Sequence, residues 1–442
     1  MGLIWITCEF IIYLNRIIAK PSSGDAFLFY IFRKMIERFK QAAVFARRNK
    51  AFVFFLCLAF SLWLIILFFS RDTFVDEKTH LRQITRFLKG NFEVLPSLTT
   101  IPGYHAVIAF FVQFFKHPPL ASVRFVSLLL SSISLVAAYL ISKKLNSKHP
   151  LIKTLQCAFL PISFLYFPLI YTDIFSLLLV LLALHFMLSG KYGFSAFFSL
   201  ASILVRQDNI IWIALVWTYA YLSTYGFLFS LKNIRAHIRR TIGHVFVFIV
   251  FIIFVLVNGG IALGDKRNHQ VGFYMGNSYF FLATVGLLFL PILLAYIRKI
   301  DLSKIKPFML YGVVVGIVIA GSFIFVQPEI HHGNNKLSML RNILLQSGYH
   351  QYMWAYVAAI FAGYMALFLM KFEKNRLVLL PFIFVSLFPS LLVEQRYYIV
   401  PLFLLLLFRK ESGEKAELAL LAYFVVLSSA LVAMVFYTGL FF

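Results

Sequence analysis

From residue 52 to the C-terminus, strongly apolar windows recur with only short polar breaks between them. A bilayer core takes roughly 20 apolar residues per helix, and no interval between these windows is long enough for a water-soluble domain of ordinary size. With 442 residues, 61% of them hydrophobic and 13% charged, the chain cannot hide its apolar side chains in one soluble core. It reads as an all-α polytopic membrane protein.

The charges set the threading. Arg33, Lys34, Arg38, Lys40, Arg47, Arg48 and Lys50 precede the first apolar window against a single acid, Glu37, which fixes the start of that span to the cytoplasm. Spans are expected near 52–70, 122–141, 154–171, 174–190, 193–205, 209–226, 243–263, 279–297, 308–326, 350–370, 377–393, 397–408 and 417–440, about thirteen in all. Every cytoplasmic connection is then basic, through Lys143, Lys144, Lys148 and Lys153, Lys191, Lys232 to Arg240, Arg298 to Lys306, Lys371 to Arg376, and Arg409 with Lys410. Residues 1–51 form a basic cytoplasmic or interfacial extension, and 52–442 the membrane domain, with a non-cytoplasmic loop at 71–121. Within that loop, 77–89 alternates charge and apolar residues at helical spacing and reads as an interfacial helix. A second interfacial helix is expected over 103–115, too short to span and bounded by Pro102 and Pro118-Pro119. The net charge of +24 is spread between spans, which suits orientation and contact with anionic membrane lipid and excludes a nucleic-acid partner. Cys8, Cys57 and Cys157 offer neither a disulfide framework nor a metal-ligand spacing.

The face opposite the basic connections collects acids, amides, histidines and a few arginines. Asp76 and Glu77, a few residues beyond the first span, suit a general base, since activating a hydroxyl needs a carboxylate held beside it. Capping of the following helix is the commoner use of such residues, and the same two readings apply to Asp173. Arg206-Gln207-Asp208-Asn209 interrupts two apolar runs, where Arg206 can grip a phosphate or simply pair with Asp208. Asn258-Gly-Gly260 and Gly264 allow close backbone approach and bring Asp265, Lys266, Arg267 and His269 together, as a substrate loop or as a polar turn. His331-His332 is a weak metal signal, so no metal site is expected. Arg396 can reach a lipid phosphate or pair with Glu394.

Taken together, several of these segments resemble the dolichyl-phosphate-glucose-dependent α-1,2-glucosyltransferases, which add the last glucose to the lipid-linked oligosaccharide of N-glycosylation. Asp76-Glu77 with His80 is similar to a D-E-x-x-H motif, Thr99-Thr-Ile-Pro-Gly103 to T-T-x-P-G, and Arg124-Phe125 to an R-F pair opening a span. Tyr171-Thr-Asp173 resembles Y-T-E. Arg206-Gln-Asp-Asn-Ile-Ile-Trp212 resembles R-Q-T-N-I-I-W, and Val257-Asn-Gly-Gly260 through Gly264-Asp265 to His269 resembles V-N-G-G-x-x-x-G-D-x-x-x-H. Glu394, Arg396, Tyr397 and Pro401 match a late E-x-R-Y segment, while His332 to Ser338 departs from the expected A-D-N-R-H-Y.

The resemblance, which runs over about 52–408, implies a multi-span GT-C-type glycosyltransferase of the endoplasmic reticulum membrane with its active site toward the lumen. It implies dolichyl-phosphate-glucose and the diglucosylated lipid-linked oligosaccharide as substrates, inverting transfer to give an α-1,2 bond, and no cofactor. Asp76 or Glu77 is then the base, and Arg206, Arg267 or Arg396 engages the donor phosphate. His80, Asp265 and His269 shape the sugar pocket, and Asp173, Gln207, Asn209 and Glu394 complete the substrate-binding set. A mannosyltransferase or other polyisoprenyl-phosphate-sugar transferase is the alternative within this fold. A transporter or flippase is the alternative outside it.

Overall fold

The computed structural model describes residues 49–70, 72–115, 118–264, 272–297, 353–390 and 393–438, with position 312. The chain forms two compact units, Met1–Leu58 and Ala59–Phe442. Of the first unit, the described residues give only the opening of α1 (Lys50–Phe69). In the second, the chain continues through α2 (Glu77–Leu88), α3 (Gly103–Val112), α4 (Leu120–Lys144), α5 (Pro150–Ala158), the single turn α6 (Pro161–Phe164), α7 (Thr172–Leu188) and α8 (Tyr192–Val205). There follow α9 (Ile210–Tyr225), α10 (Leu231–Arg240), α11 (Ile242–Asn258), α12 (Gly276–Leu288), α13 (Leu290–Ile297), α14 (Met353–Leu369), α15 (Leu379–Leu387), α16 (Ile399–Phe408) and α17 (Glu414–Thr438).

Among the described residues, α1, α4 and α17 are long and apolar enough to cross a bilayer, and five segments qualify if the bent pairs α10–α11 and α12–α13 each count as one. Shorter apolar helices, including α3, α7, α8, α14 and α16, lie among them. The protein is thus a multi-pass membrane protein, helical throughout the regular elements of its described residues. Both helices expected in the loop after the first span are present as α2 and α3.

The continuous span expected over 154–171 is replaced by a broken path. Pro161 and Pro168 cannot donate backbone hydrogen bonds, so the helix stops at Ala158, makes the turn α6 and runs irregularly to Tyr171. The expected span at 279–297 bends by 67° between α12 and α13, just before Pro291. The expected span at 308–326 and the extension over residues 1–48 lie outside the described residues, and so do His331 and His332.

The centre of the second unit is built from helices that are apolar all round. Most of α7 is buried, and every residue of α16 except Val400 is buried too, as expected of helices enclosed by other helices. Trp63 of α1 is fully buried, stacks on Phe167 at 4.5 Å and donates from Nε1 to the Phe164 carbonyl at 3.0 Å. This ties the first span to the broken segment. α12 and α14 meet through glycines: a Cβ on Gly363 would fall on the Leu282 carbonyl, and one on Gly286 on the Ala359 carbonyl. Close backbone approach of this kind is how helices associate where lipid offers no hydrophobic driving force.

The basic connections converge at one end of the bundle. Arg409 and Glu417, both fully buried, pair at 2.6 Å, and Gln156 Nε2 donates to the same carboxylate at 2.9 Å. Lys153 Nζ donates to the Arg409 carbonyl at 2.7 Å, Arg376 Nη2 to the Leu145 carbonyl at 2.8 Å, and Lys410 N to the Lys371 carbonyl at 2.7 Å. Replacing Gly363 by leucine is expected to wedge α12 from α14 and destabilise the bundle by about 1–3 kcal/mol or more. The check is thermal unfolding of the purified detergent-solubilised protein.

Candidate active site

The loop between α1 and α2 is fixed from α4. Arg124, an arginine inside an apolar helix and fully buried, donates from Nη1 to the Ser70 carbonyl at 2.7 Å and from Nη2 to the Asp72 carbonyl at 2.8 Å. Its Nε and Nη2 also grip the two oxygens of Glu77 at 3.1 and 2.6 Å. The Glu77 carboxylate accepts two further bonds, from Ile170 N and Phe74 N, each at 2.9 Å. The broken segment before α7 is what makes the Ile170 N–H available, since in a continuous helix it would be bonded within the helix. Both charges are out of water, and the paired geometry with extra hydrogen bonds is the condition under which such a pair is tolerated.

Beside this anchored residue stands Asp76. Its main-chain N–H donates to the Tyr171 hydroxyl at 3.2 Å, and its side chain is 35% exposed. Val75, immediately before it, has φ of +34°, a left-handed conformation that a β-branched residue adopts only when its surroundings force it. Asp76 Oδ2 pairs with Arg396 Nη1 at 2.9 Å, and the Arg396 Nε contacts the Glu394 carboxylate. Arg396 stands on a short 3-10 turn, Gln395–Tyr398, at the head of α16.

A second charged group comes from the turn between α8 and α9. Arg206 pairs with Asp173, at the start of α7, at 2.6 Å and with Asp208 at 2.9 Å. The Asp173 side chain is only 4% exposed, and its Oδ2 has no hydrogen-bond partner among the described residues. The neighbouring amides are occupied within the protein. Gln207 Nε2 donates to the Thr99 carbonyl at 2.7 Å and the Ile261 carbonyl at 3.0 Å, while its Oε1 accepts from Ile101 N at 3.2 Å. Asn209 Nδ2 donates to Ser176 Oγ at 2.7 Å and the Ser202 carbonyl at 2.9 Å.

Gln207 therefore knits the segments around Thr99 and Asn258 into one framework. Leu263 N and Gly264 N donate to the Thr99 and Leu98 carbonyls, both at 3.0 Å. Gly264 is required there, because a Cβ would strike the Pro96 carbonyl, and Gly103 packs in the same way on the Leu204 carbonyl. Asp265, Arg267 and His269 follow directly but lie outside the described residues.

Below Asp76, one turn along α2, His80 Nδ1 meets His105 Nε2 of α3 at 2.8 Å. The two rings stack at 5.1 Å, and His80 lies edge-on to Tyr171 at 5.6 Å. Neither α2 nor α3 is among the described helices long and apolar enough to cross a bilayer. Burial first, then Arg396 and Arg206, push His80 down to about 3, and burial holds His105 well below its ordinary value. Among the described residues, no three His, Cys, Asp or Glu side chains are grouped as metal ligands would be.

Residues 70–227 and 219–407 match the DIE2/ALG10 family. The chain belongs to that family. It is similar to the Dol-P-Glc:Glc(2)Man(9)GlcNAc(2)-PP-Dol alpha-1,2-glucosyltransferase of Mus musculus, 25% identical over 78% of this chain and 85% of the relative. The Homo sapiens protein of the same name is 26% identical over 78% and 85%, and that of Debaryomyces hansenii 25% over 78% and 84%. No solved structure matches the chain. As a member of the DIE2/ALG10 family it is a glycosyltransferase with several membrane helices.

Of the expected site residues, the structure gathers Asp76, Glu77, His80, Asp173, Arg206, Glu394 and Arg396 into one region, with Gln207 and Asn209 bracing it. Three residues of this family member were not singled out for the site from sequence: Arg124, His105 and Tyr171. Arg124 carried a signal, since a charge within an apolar span is costly and normally has a buried partner. Tyr171 lay in the Y-T-E-like motif without being assigned a role, and His105 carried no signal, because a lone histidine beside an apolar run is ordinary.

Two outcomes are expected. Glu77→Gln leaves the Arg124 charge buried without its counterion, a loss of about 3–5 kcal/mol, and the double variant with Arg124→Met recovers part of it; melting temperatures check both. His80 and His105 are neutral in the folded protein and protonate near 6.5 when unfolded. Stability is therefore lost as pH falls below 6.5, by up to about 2 kcal/mol per histidine at pH 5. Melting between pH 7.5 and 5 should show a shallower slope in the His105→Gln variant.

Proposed function

We propose that this protein transfers glucose from dolichyl-phosphate-glucose to the terminal glucose of the diglucosylated lipid-linked oligosaccharide, with inversion, forming an α-1,2 bond. It does so in the endoplasmic reticulum membrane, at a site open to the lumen. The family membership and the substrates in the names of the matched relatives support the choice of reaction. The basic connections gathered at the far end of the bundle support the orientation.

The observation that carries the mechanism is the unequal fate of the adjacent carboxylates. Glu77 has four hydrogen bonds and no exposure, so its role is to hold the loop. Among the described residues the Asp76 carboxylate pairs with Arg396 alone, and its side chain is 35% exposed. Asp76 is the base. The acceptor hydroxyl oxygen attacks C1 of the β-linked glucose, its proton passes to Asp76, and the bond from C1 to the phosphate oxygen breaks with inversion at C1. The electron pair leaves with dolichyl phosphate. Arg396 and Arg206 stabilise the charge that develops on that phosphate, and Asp173 Oδ2 accepts a sugar hydroxyl.

Four carboxylates, Asp76, Asp173, Asp208 and Glu394, surround two guanidiniums, Arg206 and Arg396. An anionic donor needs further positive charge. Lys266 and Arg267, which follow Gly264 in the sequence, are assigned that role, and Asp265 and His269 the sugar-binding one, from the motif alone. Asp76→Asn is expected to lower kcat by about 10²–10⁴-fold while leaving the melting temperature and donor binding intact. Transfer of labelled glucose from dolichyl-phosphate-glucose to the diglucosylated acceptor in microsomes is the measurement; full turnover by the asparagine variant, or activity with the mannosyl donor alone, overturns the assignment.

A further inference from the structure

The elbow between α10 and α11 forms a surface that the transfer reaction does not use. α10 lies at 82° to α11, so where α11 crosses the bilayer α10 runs along its surface. It is at the opposite end of α9 and α11 from Arg206 and Asn258, beside the basic connections: Asn375 Nδ2 donates to the Leu222 carbonyl at 3.0 Å, and Lys374 Nζ lies 5.1 Å from the Phe227 ring.

The helix is built in place rather than loosely laid. Ser230 Oγ caps it by accepting from Asn233 N at 3.2 Å, and Tyr221 OH donates to the Leu228 carbonyl at 2.7 Å. The buried His237 packs on Trp217 at 4.9 Å, and Trp217 Nε1 donates to Thr241 Oγ1 at 2.8 Å.

Two stripes run along it. Leu231, Ile234 and Ile238 recur at i, i+3 and i+7 and continue into the exposed Leu228 and Phe229. Lys232, Arg235 and Arg239 recur at the same spacing one residue on, with Arg240 beside them; all four are exposed and none has an acidic partner among the described residues. No Asp or Glu occurs anywhere from 209 to 264. An apolar stripe beside an uncompensated cationic one matches the boundary between acyl chains and anionic headgroups.

We propose that α10 is a binding surface for anionic phospholipid in the leaflet at the basic end of the bundle. The apolar stripe sits among the acyl chains, and Lys232, Arg235 and Arg239 hold the headgroup phosphates. An acidic soluble protein would match the charge but leave Leu228, Phe229 and Leu231 in water, which is why lipid is the occupant.

The test uses the full-length protein in nanodiscs of phosphatidylcholine with and without phosphatidylserine. The wild type should melt several degrees higher with phosphatidylserine and retain it over phosphatidylcholine by about fivefold per engaged side chain in native mass spectrometry. The triple variant K232Q/R235Q/R239Q should lose most of both effects, and K143Q/K144Q at the same end should keep them. Equal shifts in wild type and triple variant, no shift in either, loss in both variants alike, or reproduction of the shift by free phosphoserine or inorganic phosphate would each overturn the proposal.

Discussion

The candidate site depends on one buried ion pair. Arg124 and Glu77 are fully enclosed, and between them they bind Ser70, Asp72, Phe74 and Ile170, so α4 dictates the path of the loop that leaves α1 and the start of α2. Removing two charges from water is unfavourable, and geometry alone offsets it here through a two-point grip with every remaining lone pair on Glu77 engaged. The same rigidity holds Val75 in a left-handed conformation that an unconstrained valine would leave. Asp76 inherits its position from both: its neighbour on one side is anchored and its neighbour on the other is strained. As the proposed base, a carboxylate held in this way requires no reorganisation when substrate arrives.

The outer frame is made of backbone contacts rather than charges. Gln207 joins the loops around Thr99, Ile101 and Ile261, and the glycines at 103 and 264 let backbones approach where any side chain would collide. Polar groups at the edge of a bilayer are expensive to leave unpaired, and the amides of Gln207 and Asn209 meet that demand for segments that are neither helix nor strand. The sequence motifs here are thus as much instructions for folding as for chemistry.

Apolar windows and basic connections were sufficient to read a helical, multi-pass architecture and the presence of two helices in the loop after the first span, because both signals act locally and each helix satisfies its own backbone. The break at Pro161 and Pro168 was missed because the windows around those prolines remain apolar, and hydropathy does not register a lost N–H. Asp76, Glu77, Asp173, Arg206 and Arg396 stood out as charges beside spans. What their neighbours do to them was not legible: whether Glu77 or Asp76 stays open is decided by Arg124, 47 residues away, and by Ile170, 93 residues away. Pairings at that separation are properties of the packed bundle.

The depth of the site follows from the length of α16. Ten helical residues rise about 15 Å, and the 3-10 turn before them adds about 8 Å. Arg396 and Arg409 at its two ends are therefore closer together than the roughly 30 Å hydrocarbon thickness of a bilayer. In the proposed orientation, which puts Arg409 and its basic neighbours at one surface, Arg396 sits short of the other, and either the bilayer thins around the bundle or the charged cluster lies below the headgroups. For the proposed reaction, either arrangement brings Arg396 and Asp76 down to the level of the donor's lipid-borne phosphate, rather than requiring that phosphate to rise out of the membrane.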